Sequence, residues 1–204
     1  SDLVLELRPP ERIVFSYGYA GADKLIAPGA SRVTITLAEH AAGTLLRLLH
    51  EVADAATRDH HVQGWRYHLA VFSNVVANEA QAGAGAAVTG WFQAWNESDA
   101  AKRSRAFAAL VTEDVVFQDA YSSTRGREDL VAHVAGAKVH MPGMALEQSG
   151  AARHCQGTVL ADWVAKLPSG AQVAPRVVAR GTNVFELDPA GRFTRVVGLW
   201  EKPG

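Results

Sequence analysis

The chain has 204 residues, of which 48% are apolar and 20% charged, with a formal net charge of −1. That length allows one large domain or two small ones, and the apolar share belongs to a folded globular chain rather than a disordered one. Interspersed charge leaves no electrostatic footprint for nucleic acid or an anionic membrane surface, no apolar run nears the length of a membrane span, and the single Cys155 excludes an internal disulfide and CxxC chemistry.

The first eighty residues read as strands followed by one helix. Stretches rich in strand formers run over 3–7, 12–17, 31–37 and 44–49, and Pro9-Pro10, Pro28-Gly29 and Ala42-Gly43 supply the breaks between them. From Thr57 the period turns helical. Val62, Trp65, Leu69, Phe72 and Val76 recur at spacings of three and four, a stripe expected to pack on the sheet, with Thr57 or Asp59 as its cap. Glu79 to Ala87 carries two glycines and no large apolar residue, which predicts a boundary: a first domain over 1–79, a linker over 80–87 and a second domain over 88–204.

The helical period restarts with Val88, Trp91 and Trp95 on one face and ends in the turn-prone Asn96-Glu97-Ser98-Asp99. Further helices are predicted over 100–111 and 127–137, with a strand over 114–119 between them. After Pro142-Gly143 the pattern is strands over 144–148, 154–167, 172–186 and 193–201, punctuated by Pro168-Ser169-Gly170 and Asp188-Pro189-Ala190-Gly191. The fold class is therefore α+β.

Chemistry is suggested at one place. In Asp114-Val115-Val116-Phe117-Gln118-Asp119, strand alternation puts Val115, Phe117 and Asp119 on one side, so a carboxylate joins an apolar row. Such a group is paired, hydrogen-bonded or put to use as a general base; a structural carboxylate at a strand end is the plain alternative. Trp91, Trp95, Phe117, Trp163, Phe185 and Trp200 either line a pocket or form core, with core favoured for Trp200. His133 and His154 are candidates for a second polar group near Asp119. None of the eight histidines has metal-ligand spacing, so no metal is expected; Cys155 reads as a buried thiol, and the face bearing Lys102, Arg103 and Arg105 as solvated surface.

The stretches Trp91-Phe92-Gln93-Ala94-Trp95-Asn96 with Asp99, Val115-Val116-Phe117-Gln118-Asp119, Gly126-Arg127-Glu128-Asp129-Leu130 and Gly181-Thr182-Asn183-Val184-Phe185-Glu186-Leu187-Asp188 with Gly191 make the second half, from Val88 to Trp200, resemble the SnoaL-like branch of the nuclear transport factor 2-like cone fold. That family, which also contains ketosteroid isomerase, implies a cone-shaped α+β barrel with a blind pocket for an apolar small molecule, and often a dimer. Through the resemblance, Asp119 falls where ketosteroid isomerase keeps its carboxylate base, Asn183 where it has a protonated Asp donating to the oxyanion, and Trp91 where it has a tyrosine donor. Asn and Trp still donate through amide and indole N–H, but neither has the acidity of the original pair, which argues against steroid isomerisation itself.

The first half carries Pro9-Pro10-Glu11-Arg12-Ile13-Val14-Phe15, Ser31-Arg32-Val33-Thr34-Ile35-Thr36-Leu37, Gly43-Thr44-Leu45-Leu46-Arg47-Leu48 with His50, and Gly64-Trp65. It resembles an SRPBCC (START and polyketide-cyclase-like) domain of the activator of heat-shock-protein-90 ATPase homologue type. The likeness covers only the C-terminal part of that domain, a partial helix-grip of antiparallel strands plus the last helix. An N-terminal portion outside this sequence, completion by another chain, or a vestigial pocket would each account for it.

Together these readings lead to a cytoplasmic protein, with no signal-peptide pattern, that binds a small apolar organic molecule in the cone, needs no cofactor, contacts neither nucleic acid nor membrane, and forms a homodimer. The reaction implied by the resemblance is cofactor-free proton transfer next to a carbonyl, as in an isomerase or polyketide cyclase, with Asp119 as base, Asn183 and Trp91 as donors, and Trp95, Phe117, His133, Trp163 and Phe185 around the ligand. The alternative is a non-catalytic ligand-binding or dimerisation module. A co-chaperone role taken from the first half's family is discounted.

Overall fold

The computed structural model describes residues 3–21, 25–41, 43–169 and 174–201. The chain divides into two compact units, Ser1–Phe72 and Ser73–Gly204.

In the first unit β1 (Val4–Arg8), β2 (Arg12–Tyr17), β3 (Ser31–His40) and β4 (Gly43–Glu51) form an antiparallel sheet in chain order. The β3–β4 reversal brings His40 opposite Gly43, whose φ of +126° only glycine adopts readily; Ala42 of the expected turn lies outside the described residues. The helix α1 (Ala55–Ala80) follows. Its start is held by Asp54 rather than by Thr57 or Asp59: Asp54 Oδ1 accepts the Thr57 N–H at 2.8 Å and Oδ2 accepts the Thr57 hydroxyl at 3.0 Å. The backbone bond, then the hydroxyl, holds the Asp54 carboxyl below the usual carboxylate range.

The apolar stripe of α1 does not lie on the sheet along its length. Thr57 and His61 are the buried residues of the helix, and Trp65 is half-buried, whereas Phe72 and Val76 are about half exposed. What anchors the near end is polar: Trp65 Nε1 donates to His50 Nδ1 at 3.0 Å, His50 Nε2 meets Ser31 Oγ at 2.8 Å, and Ser31 Oγ donates to the Tyr17 carbonyl at 2.9 Å.

The residues predicted as a linker over 80–87 are instead the last residue of α1, a three-residue turn and the first turn of α2 (Ala84–Asn96). Alanine is the best helix former and small enough for close packing, so a lack of large side chains did not mean an open tether. Ala84 is in the core, and Gln81 is buried with Nε2 on the Asp188 carbonyl at 3.1 Å and Oε1 beside His154 Nε2 at 2.9 Å.

The remaining elements of the second unit are α3 (Ala100–Leu110), β5 (Val111–Gln118), β6 (Ser123–Arg125), α4 (Arg127–His140), β7 (Ala145–Cys155), β8 (Thr158–Leu167), β9 (Arg176–Leu187) and β10 (Phe193–Glu201). Their sheet runs β6-β5-β10-β9-β8-β7, antiparallel except where β5 lies parallel to β10, and register shifts in β7 and β8 bend it. Two features escaped the pattern. The short β6 pairs with β5, and the stretch expected as one strand over 154–167 breaks at Gln156-Gly157, both with positive φ, into a two-residue hairpin that places Cys155 opposite Thr158. Gly170 of the expected Pro168-Ser169-Gly170 turn and residues 172–173 of the expected strand lie outside the described residues.

Caps and clasps fix the helices. Asp99 Oδ1 accepts the Lys102 N–H at 2.8 Å to start α3. Asn96 pairs with both backbone groups of Leu146, at 2.7 and 2.8 Å, and so ties the end of α2 to β7. Arg103 is buried, not solvated: its Nη1 donates to the Glu97 and Ser98 carbonyls just beyond the end of α2. Cys155 in turn is exposed, at the end of β7. The core lies between the helices and one face of the sheet and is dominated by Trp91, Phe107, Phe185 and Phe193, each fully buried. Among the described residues no helix is long and apolar enough to cross a membrane.

Candidate functional site

Strand alternation and register build the wall of a cavity of about 970 Å³. On β8 the residues Val159, Ala161, Trp163 and Ala165 are buried alternately. Ala161 pairs with Asn183, which pairs with Gly198; one step along, Trp163 pairs with Gly181, which pairs with Trp200. Two transverse rows result, one polar and one aromatic.

Both rows depend on glycine. A Cβ on Gly181 would lie 2.6 Å from Trp163 and 2.5 Å from Trp200, so only glycine lets the two indole side chains pack there. A Cβ on Gly198 would sit 3.3 Å from Asn183 Oδ1 and 3.4 Å from Asp119 Cβ. Gly198 is therefore the open floor between the carboxylate and the amide. Gly181 opens one of the stretches that carry the family resemblance, whereas Gly198 belongs to none of them, although an isolated glycine in the strand Phe193–Glu201 is a known sign of close approach.

Asp119 follows β5 and faces the cavity beside Phe117, as strand alternation predicts. Its two oxygens differ. Oδ1 accepts from the Tyr121 N–H at 2.9 Å, the Ser122 N–H at 2.8 Å and the Ser122 hydroxyl at 2.7 Å, closing the turn into β6. Oδ2 takes no hydrogen bond among the described residues. Because the Ser122 proton is committed to Asp119, its oxygen is the acceptor for His133 Nε2 at 3.5 Å, which joins α4 to the turn. His154, the other histidine considered, is engaged elsewhere, by Gln81 and the Gly157 N–H.

Asn183 is 5% exposed and its orientation is decided by Trp163. An indole N–H only donates, and Trp163 Nε1 lies 2.9 Å from Asn183 Oδ1, so the carbonyl end is turned to the indole and the NH₂ end is left without a partner among the described residues.

Of the other predicted residues, Trp95, Phe117, His133 and Trp163 line the cavity; Trp91 and Phe185 do not. Trp91 is the hub of the core, with Phe107, Phe117, Phe185, Phe193 and Trp95 rings centred 5.4–6.2 Å away, and the Phe185 and Phe193 rings, tilted by 37°, are centred 4.6 Å apart. The stripe Val88, Trp91, Trp95 explains the split: its middle member is enclosed on all sides, while Trp95, one turn on, reaches the cavity edge. The indole N–H of Trp91 has no partner among the described residues, and the fully buried ring is not among the residues that line the cavity. Trp200 packs against the core and also lines the cavity, and Tyr121, His140, Met141, Met144 and Arg176 line it too, residues no sequence motif singled out. Among the described residues no cluster of three or more His, Cys, Asp or Glu is arranged to hold a metal ion.

With this geometry in hand, comparison with known proteins is informative. Residues 88–196 match the family model described as the SnoaL-like domain, and residues 1–77 match that described as activator of Hsp90 ATPase homolog 1-like protein. No curated protein matches the chain. Among solved structures, a candidate isomerase of the SnoaL-like family from Agrobacterium tumefaciens is 24% identical, over 57% of this chain and 95% of that one, with a TM-score of 0.51. An NTF2-like protein of unknown function from Exiguobacterium is 13% identical over 57% and 99%, TM-score 0.47, and a candidate polyketide cyclase from Xanthomonas campestris is 18% identical over 58% and 90%, TM-score 0.44. At these identities the likeness is one of fold.

Proposed function

This chain belongs to the SnoaL-like domain family, and from its cavity we propose that residues 73–204 bind a small, largely apolar carbonyl compound and move a proton at the carbon beside the carbonyl. The observation that carries the reading is the row Asn183–Gly198–Asp119: an amide whose donor end is left free by Trp163 and a carboxylate with one free oxygen line one cavity on either side of a glycine. Asp119 Oδ2 takes the proton and the Asn183 NH₂ donates to the enolate oxygen, while the three donors on Oδ1 hold the carboxylate still. Aromatic walls from Trp95, Phe117 and Trp163 exclude water around the ring system of the ligand. No step calls for a metal or organic cofactor.

The test uses 2-tetralone, a bicyclic ketone, and follows deuterium uptake at its carbon beside the carbonyl. The parent is expected to exchange it faster than buffer, Asp119→Asn to lose about 10²-fold or more, and Asn183→Leu to lose rate while Asp119 stays intact. Equal exchange by parent and Asp119→Asn sinks the base assignment.

A second reading is supported by the same turn. All three hydrogen bonds to the Asp119 carboxylate fall on Oδ1, which a structural role in closing the β5–β6 turn explains by itself. In that case the domain is a non-catalytic binding module, and 2-tetralone binds without exchange. A homodimer through the outer face of the six-stranded sheet, where Leu199 is 59% exposed beside Val197, belongs to either reading and is tested by light scattering at micromolar concentration.

A further inference from the structure

The two ends of the cavity differ in charge. At one end stands Asp119, the only acidic residue among the described lining residues; at the other stand Arg176 and His140. Topology sets them apart. Arg176 opens β9 and pairs with Leu167 at the end of β8, while Asn183 pairs with Ala161, six residues back along the same strand. At about 3.3 Å per residue the polar row and the cationic end are separated by about 20 Å along the sheet. His140 is the last residue of α4, which runs out at the same end, where β7 begins.

The stretch between them is apolar, walled by Met144, Leu146, Ala165 and Ala179. Arg176 is exposed, and its guanidinium makes no ion pair or hydrogen bond with any described residue. An unpaired guanidinium at the end of an apolar cavity is suited to an oxyanion, because its planar fork meets a carboxylate, sulfonate or phosphate with two parallel hydrogen bonds and is weakly hydrated.

We propose that the cavity takes an elongated apolar molecule carrying an anionic group at the end remote from its carbonyl, with Arg176 binding the anion and His140 beside it. This rests on the reading of the cavity as a ligand site. It adds the anion and its receptor, and it restricts the ligand to an apolar acid rather than a neutral ring system.

Two fluorescent probes with one skeleton separate the claims: 8-anilinonaphthalene-1-sulfonate, and the neutral N-phenyl-1-naphthylamine, titrated against the full chain. The parent is expected to bind the sulfonate more tightly than the neutral compound. Arg176→Gln, at an exposed position, is expected to weaken the sulfonate about three- to fivefold, and Arg176→Glu more, with the neutral probe unchanged in both. Added salt acts in the same sense as Arg176→Gln. Ala137→Trp on α4, which narrows the cavity, is expected to weaken both probes, with circular dichroism and a thermal melt confirming the fold; Ala179→Phe serves the same purpose from β9. An unchanged sulfonate affinity in Arg176→Gln, with both probes still sensitive to narrowing, overturns the anion assignment and leaves the cavity reading standing. Probes that ignore both narrowing variants, or a parent that binds neither probe, overturn the cavity reading and the anion site with it.

Discussion

The two units of this chain spend their apolar residues differently. In residues 73–204, Trp91, Phe107, Phe185 and Phe193 are fully buried in one aromatic core. In residues 1–72, Leu3, Val4, Leu5 and Leu7 are each more than half exposed, as are Tyr67 and Phe72, and among the described residues Val14, Ile26 and Val33 are the buried apolar ones. Both units are rich in strand formers, so composition does not separate them. The difference is coverage: three helices close over a bent six-stranded sheet in one, whereas a single helix seated at its near end meets a four-stranded sheet in the other.

The sharpest way to break this comparison is to truncate one aromatic in each unit. Trp91→Ala is expected to cost about 3–5 kcal/mol by urea unfolding, because its cavity cannot collapse, whereas Phe72→Ala is expected to stay within about 0.5 kcal/mol. Equal costs would mean that the exposed face of α1 is buried in solution.

Next in size is Gly181→Ala. A methyl group forced against Trp163, Trp200 and the Leu199 carbonyl is expected to destabilise the second unit by about 1–3 kcal/mol and to shift the near-ultraviolet signal of the tryptophans. Gly64→Ala in α1, where nothing lies within 4 Å, is the matched control and is expected to be neutral or mildly stabilising.

Asp119→Ala follows. Loss of Oδ1 leaves the Tyr121 and Ser122 N–H groups without their acceptor, at a cost of about 1–3 kcal/mol, while Asp119→Asn keeps an acceptor oxygen in place and is expected to cost less. An Asn variant as unstable as the Ala variant would show that the charge, not the acceptor, holds the turn.

The smallest effect belongs to the first unit and to pH. Burial, and then the neighbouring His61, lower the pKa of His50 below the ordinary histidine value. Its Nδ1 must stay unprotonated to accept from Trp65. A lowered folded-state pKa means that the stabilisation is complete above the unfolded value near 6.5 and is lost as pH falls through the folded value. Mild acid is therefore expected to loosen residues 1–72 and to shift the Trp65 indole N–H resonance with the same midpoint as the His50 ring. His50→Gln is expected to flatten that dependence. An indole resonance insensitive to pH between the two pKa values would remove the clasp.

Much of this was legible in advance, and the misses share a cause. β2 appears over 12–17 as its residues predict, α2 to α4 appear in order, and Asp119 shares a face with Phe117, because alternation and helical period are local properties. Asp119 and Asn183 both line one cavity, although sixty-four positions separate them in the chain. The division at Phe72/Ser73 was not legible, since the helical period of α1 runs through it unbroken. Nor was burial of Arg103, whose partners are carbonyls beyond the end of another helix.

By itself, then, the amino-acid order determined period, turn chemistry and the placing of a carboxylate at a strand end, all of which depend on neighbours a few residues apart. Tertiary structure alone decided that Trp91 is core while Trp200 is wall, that Gly198 opens the floor between Asp119 and Asn183, and that Trp163 selects which end of the Asn183 amide is free. These outcomes hang on register across β8, β9 and β10, where one residue of slip would exchange every wall residue for an outer one, and no local pattern in the chain carries that register.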